Sequence, residues 1–236
     1  MIKVKNLSKT YQNGYQALTN VSFEIQPGEF VYCVGPSGSG KSTLFKALSR
    51  EIEFSFGSVE LNQFRVEKIP ARKLYQLRRE IGIVGQDDLL LEQTTCFENV
   101  AFSLRALGIN QKEIKERARA ALEQVGMLAY QKHYPAELSI GQRKKITIAR
   151  ALVNQPSIIL ADEPTANLDN KSSVDIMKLF LKIHQKGTTI LLATHDSTMV
   201  NSIRKRVIEL KEGNLIRDDH LGGYSSFFDP KDVYVW

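Results

Sequence analysis

The sequence predicts an α/β chain built on a mostly parallel sheet, and three observations carry that expectation. Apolar runs at residues 30–34, 81–84, 158–161 and 188–193 read as short strands buried on both faces. The segments between these runs are long enough for the crossover connections that parallel neighbours need. Residues 89–152 contain no comparable run and repeat their apolar positions at helical spacing, which predicts a helical insert in the sheet. A length of 236 residues fits one domain, 1–236, carrying that insert.

Each element has a local reason. Ile2-Lys3-Val4 and Val21-Ser22-Phe23-Glu24-Ile25 alternate apolar with polar, the period of half-exposed strands, and Asn13-Gly14 and Pro27-Gly28 mark turns between them. The run at 30–34 ends in a Gly/Ser loop and passes into the apolar stretch 44–48, so strand, loop and helix follow one another. In the insert, Ile114, Ala118, Ala121, Leu122 and Val125 share a helix face, with Glu113 four residues before Arg117. After residues 207–210, Glu212-Gly213-Asn214 turns the chain into Leu215-Ile216, a hairpin that closes the fold. A tail, about 222–236, carries Phe227, Phe228, Tyr234 and Trp236.

Composition narrows the function. Apolar residues make up 42% and charged residues 25%, which suits a packed globule and excludes disorder and collagen. No apolar stretch approaches the roughly 20 residues of a membrane span, and the first residues have no signal-type apolar region, so the expectation is a chain neither spanning a membrane nor exported. Cys33 and Cys96 are too few for a disulfide framework and suit a reducing compartment. The net charge of +6 fits nucleic acid, anionic lipid or a phosphate-bearing ligand. The basic clusters Arg78-Arg79, Arg143-Lys144-Lys145 and Arg204-Lys205-Arg206 lack the interleaved aromatics that stack bases, so they read first as solvated faces, next as a membrane or membrane-protein footprint, and last as nucleic-acid contacts.

Chemistry begins at Gly35-Pro36-Ser37-Gly38-Ser39-Gly40-Lys41-Ser42-Thr43. Glycines let such a loop wrap closely with its amide N–H groups inward, the following helix adds its positive end, Lys41 reaches the outer phosphates, and Ser42 offers a hydroxyl to Mg²⁺. Asp162 and Glu163 stand at the end of a buried strand, where neighbours point to different sides. One can hold Mg²⁺ while the other addresses a water. Taken alone, Asp-Glu-Pro is an ordinary strand exit; beside a phosphate loop at the same sheet rim, metal binding by Asp162 is the better account. Gln86 and His195 each follow a predicted strand and reach that rim, though either alone is also ordinary loop or cap chemistry. Leu138-Ser139-Ile140-Gly141-Gln142 precedes a basic helical run and offers a second anion site at a helix start.

Together these residues resemble the ATP-binding-cassette (ABC) ATPases over residues 1–218. The loop 35–43 looks like a Walker A motif, Gln86 a Q-loop, residues 138–142 the ABC signature, 158–163 a Walker B strand, Asn167-Leu168-Asp169 a D-loop and His195 an H-loop. The resemblance implies a P-loop NTPase cassette: a RecA-like, mostly parallel core, an N-terminal antiparallel β subdomain and an inserted α-helical subdomain. It implies ATP and Mg²⁺, with Ser42, Gln86 and Asp162 holding the metal, Tyr11 stacking on adenine, Glu163 polarising water and His195 contacting the γ-phosphate. It also implies a head-to-tail homodimer in which Ser139, Gly141 and Gln142 of one copy close over ATP on the other, with Asp169 reaching across.

Within the family, Lys186-Gly187-Thr188-Thr189, Arg204-Lys205-Arg206-Val207-Ile208-Glu209-Leu210 and Gly222-Gly223-Tyr224 resemble the bacterial cell-division branch. That likeness implies a polytopic membrane partner, peripheral attachment at the cytoplasmic face of the cell membrane, and indirect activation of cell-wall hydrolases. The alternative is the ATPase subunit of a lipoprotein or small-molecule exporter; a nucleic-acid ATPase and a non-hydrolysing scaffold are further readings. The chain departs from the family at Ile140, Gly85, Ala166 and Lys144-Lys145. A β-branched residue at 140 excludes positive φ and adds bulk near nucleotide, so the departures bear on hydrolysis rate rather than on binding at Lys41.

Overall fold

Phe30–Val34 (β3) carries no charged residue and is buried along its whole length. Its alternate residues serve two cores: Phe30, Tyr32 and Val34 face one apolar cluster while Val31 and Cys33 face the other. A strand covered on both faces must sit inside a sheet, which is where the structure, a computed structural model describing residues 1–224, places it. With Ile81–Val84 (β6), Ile158–Asp162 (β7), Thr189–Ala193 (β8), Lys205–Lys211 (β9) and Asn214–Gly222 (β10) it forms a six-stranded sheet ordered β10-β9-β3-β8-β7-β6. Every neighbour in it is parallel except the β9–β10 hairpin at the edge. The hairpin is longer than the sequence suggests, because most of β10 is exposed and lacks the apolar alternation that marks a strand.

The N-terminal strands Ile2–Thr10 (β1) and Gln16–Ile25 (β2) join Phe56–Leu61 (β4) and Phe64–Arg65 (β5) in an antiparallel sheet ordered β2-β1-β4-β5. Its inner residues Ile2, Val4, Leu18 and Val59 pack with Leu44 and Leu48 of Lys41–Leu48 (α1) against one face of the large sheet. Leu74–Glu80 (α2) leads into β6 and buries Leu77 in the same core. Sequence periodicity does not reveal β4, β5 or α2, since all are short and β4 is interrupted by Gly57 at positive φ.

Cys96–Ala106 (α3), Gln111–Gln124 (α4) and Ile140–Leu152 (α5) occupy the stretch expected to be helical. Their starts are set by Thr95 with Glu98, Asn110, and Ser139 with Gln142, each supplying a side-chain cap. Their apolar faces, including Val100, Leu104, Ile114, Leu122 and Ile146, continue the core on the second face of the large sheet. Asn170–Gln185 (α6) packs on that face through Ile176, Met177 and Phe180. Ser197–Ser202 (α7) follows β8 and is capped by Asp196. Among the described residues no helix is long and apolar enough to cross a membrane. Cys33 and Cys96 are both buried and free. Phe227, Phe228, Tyr234 and Trp236 lie outside the described residues.

The basic clusters are largely spent within the chain: Arg143 pairs with Glu92, Lys144 with Asp88, Lys145 with Asp175, and Arg206 with Glu29 and Asp218.

Candidate active site

The C-terminal ends of β3, β6, β7 and β8 lie along one rim, and the loops leaving them meet around a cleft of about 550 Å³. Ser37, Gly38, Ser39, Gly40, Lys41, Ser42 and Thr43 form one wall, and Gln86, Glu163 and His195 the other. Two glycines make the loop possible. A Cβ on Gly35, at φ +143°, would stand 2.1 Å from the Leu210 carbonyl, and one on Gly40, at φ +105°, 2.6 Å from that of Ala17. The loop is thus wedged between β9 and β2 with no room for a side chain at either point. Lys41 is buried, and its ammonium donates to the carbonyls of Gly35 at 2.6 Å and Pro36 at 3.1 Å.

The two carboxylates of the strand end separate as adjacent residues should. Glu163 sits in left-handed backbone at φ +49°, a conformation few non-glycine residues adopt, and its amide donates to the Ala193 carbonyl at the end of β8. Its carboxylate is 2.9 Å from His195 Nδ1 and also accepts the His195 backbone N–H. Asp162 turns the other way, toward the start of α1. Burial raises its carboxyl above the usual range, against a lowering hydrogen bond from Ser42, and Oδ1 is buried without a partner. An orphaned carboxylate oxygen beside a hydroxyl is a donor pair for a hard cation. His195 is exposed and does not cap a helix; Asp196 takes that part at α7.

The remaining predicted residues gather elsewhere. Ser139 accepts from the Gln142 amide while Gln142 reaches back to the Ser139 N–H, so Gln142 is engaged in capping α5. A Cβ on Gly141 would press within 3.1 Å of the Ser172 hydroxyl, and Ser172 donates through both its amide and its hydroxyl to Asp169. Those bonds hold the Asp169 carboxyl below its usual range. Ser139, Gly141 and Asp169 therefore share one surface, which contributes none of the cleft's lining.

One expectation needs correction. Ile140 is the first residue of α5, in right-handed helical backbone open to any residue, and its side chain is 58% exposed, so the anticipated conflict with positive φ does not arise. Tyr15 lines the cleft and its hydroxyl donates to the Gly38 carbonyl, while Tyr11 places its hydroxyl 3.4 Å from that of Thr43 in the phosphate loop, with the Lys9 ammonium over its ring. Sequence reasoning missed Tyr15 and Ala17. Their only signal is proximity to Tyr11 on a strand flank.

The ABC transporter family model matches residues 18–166. The chain belongs to this family. It is 44% identical over 224 residues to the cell division ATP-binding protein FtsE of Streptococcus pneumoniae, covering 95% of this chain and 97% of that one. It is 42% identical over 227 residues to FtsE of Bacillus subtilis, covering 96% and 100%. Among solved structures it resembles the ATP-binding cassette MJ0796 in a dimeric, post-hydrolysis state bound to ADP and Pi, with a TM-score of 0.85, 37% identity, and coverage of 94% of this chain and 100% of that one. An ABC ATPase binds and hydrolyses ATP. The expected cassette fold is the one observed, with a mostly parallel core sheet, an antiparallel β sheet and a helical region.

Proposed function

We propose that the chain is the ATPase subunit of an FtsE-type cell-division complex, dimerising head to tail on ATP to move a polytopic membrane partner of FtsX type that activates cell-wall hydrolases. The observation that carries the chemistry is the Glu163 carboxylate, fixed by His195 at 2.9 Å on the wall opposite the phosphate loop. Loop amides and Lys41 neutralise the phosphates, Glu163 takes up a proton from the attacking water, and His195 orients Glu163 and the terminal phosphate. The exposed rings of Tyr11 and Tyr15 flank the loop and receive the base.

Ser42, Asp162 and Gln86 are the residues that would hold Mg²⁺. The partnerless Asp162 Oδ1 and the neighbouring Ser42 hydroxyl suit it. Bound there, Mg²⁺ neutralises charge on the phosphates. Because burial, joined by the neighbouring Glu163 charge, disfavours the ionised Asp162, its raised carboxyl costs stability progressively as pH rises past its unfolded value. Asp162→Asn is accordingly expected to melt higher than the parent at neutral pH without nucleotide, yet to gain less from Mg²⁺-ATP. A parent-like gain with Mg²⁺-ATP would remove Asp162 from the metal site.

Two copies complete the site in this reading, because Ser139, Gly141 and Asp169 stand apart from the cleft of their own chain. The membrane partner is supported by the cell-division relatives and by Ile83, Leu89, Leu91 and Phe102, large apolar side chains left exposed, with Leu89 79% open. Attachment through such a partner makes the chain peripheral to the cytoplasmic face. Affinity purification from membranes separates the two family readings. Recovery of a four-helix FtsX-type protein supports cell division, and recovery of a transporter with bound lipoprotein or small molecule overturns it in favour of export.

A further inference from the structure

The helix that starts at Ser139 does more than present its tip. Along one side of α5, Lys144, Thr147 and Arg150 reach the loop that follows β6. The Lys144 ammonium donates to the carbonyls of Gly85 at 3.1 Å and Gln86 at 2.9 Å and lies 2.8 Å from the Asp88 carboxylate. Arg150 donates to the carbonyls of Asp88 and Leu89, both at 2.7 Å, and the Thr147 hydroxyl faces Asp88. The main chain that carries Gln86 is thus fastened to α5, while Gln86 is one of the residues lining the phosphate cleft.

Lys144 is the centre of this grip. Its side chain is 3% exposed, and the three protons of an ammonium meet three acceptors, two neutral and one anionic. A neutral amide at this position would have two donors and no charge to set against Asp88. The cost of burying the charge is met only while residues 85–88 stay against α5, so the bond set ties loop and helix into one unit.

We propose that Lys144 is a positioning residue for ATP hydrolysis: it makes the placement of Gln86 in the phosphate cleft depend on the position of α5, and so on the engagement of Ser139 at the same helix's tip. The inference rests on the assignment of Gln86 to the Mg²⁺-ATP site. When α5 moves toward a bound triphosphate on a second copy, Gln86 of its own chain is carried with it. One half-site thereby acts on the other through a rigid lever rather than through a flexible loop.

A double-mutant cycle on the full chain tests this, reading kcat, ATP Kd without turnover, and melting temperature. Lys144→Met keeps the aliphatic stem and removes the ammonium. It is expected to lower kcat about tenfold or more, the scale of a small misplacement at a reacting centre, with ATP Kd within about twofold of the parent. In a Gln86→Ala background the same change is expected to cost less than about twofold further, because its target is already gone. Asp88→Asn added to Lys144→Met removes the stranded carboxylate and is expected to restore the melting temperature but not kcat. This pair keeps the test open if the single variant folds poorly. The proposal is overturned if Lys144→Met retains parental kcat, if Kd worsens as much as kcat, if its effect persists in full on Gln86→Ala, or if kcat recovers together with the melting temperature. Parental turnover by Gln86→Ala alone would instead remove the Gln86 assignment, and the Lys144 proposal with it.

Discussion

Glu163→Gln is expected to bind ATP as tightly as the parent chain and to lose about 10²–10⁴-fold in turnover, the range for removing a positioned general base. The amide has the shape of the carboxylate, can still accept from His195, and leaves the left-handed backbone at Glu163 in place. What disappears is the ability to take a proton. ATP then persists, and the chain should accumulate as an ATP-dependent dimer visible by size-exclusion chromatography. Adding Ser139→Ala should abolish that dimer. The same change removes the cap of α5 and is expected to cost about 1 kcal/mol, or about 2–4 °C in melting temperature for a domain of this size. Turnover at the parental rate would remove Glu163 from the mechanism. A dimer that survives loss of the Ser139 hydroxyl would remove the sandwich.

Lys41→Met should act at the preceding step and weaken ATP binding by about 10- to 150-fold, the equivalent of about 1.5–3 kcal/mol for a lost charged hydrogen bond. The Lys41 ammonium is held among loop carbonyls at 2.6 and 3.1 Å, on the cleft wall formed by the same loop. Methionine fills the space of the stem and offers no positive charge to the phosphates. Equilibrium binding of a fluorescent ATP analogue with Mg²⁺ measures the effect, and circular dichroism checks that the loop's surroundings remain folded. Unchanged affinity would mean that the amides and the helix end suffice for binding.

How far the sequence reaches differs from residue to residue. The phosphate loop was legible because its Gly/Ser/Lys pattern lies within nine consecutive residues and Gly35 and Gly40 take positive φ, a backbone that favours glycine whatever surrounds it. Asp162 and Glu163 were legible as a divergent pair because they stand at a strand's end, to which the fold adds that Glu163 leaves β7 in left-handed backbone. Gln86 and His195 could be placed at the rim because parallel strands deliver their C-terminal ends to one side. The helical stretch followed from periodicity, and Ser139 from its place before an apolar-periodic run.

Other features depend on how distant segments meet. Tyr15 reaches the cleft because β2 lies beside the phosphate loop, a contact between separate elements that no local pattern encodes. Gly141 lies against Ser172, and through it beside Asp169, only after α5 and α6 have packed on the same sheet face. Lys144 reads in sequence as one of a basic trio and, in the fold, is a buried clamp on carbonyls 59 and 58 positions away. Short-range sterics and periodicity are written in neighbouring residues, which is why the phosphate loop, the paired acids and the helical insert can be read from the chain before it is folded. Which surfaces face each other depends on strand order and on burial summed over the whole chain. Packing between distant segments is therefore what brings Tyr15 to the cleft and sets Lys144 between the Gln86 loop and the helix of Ser139.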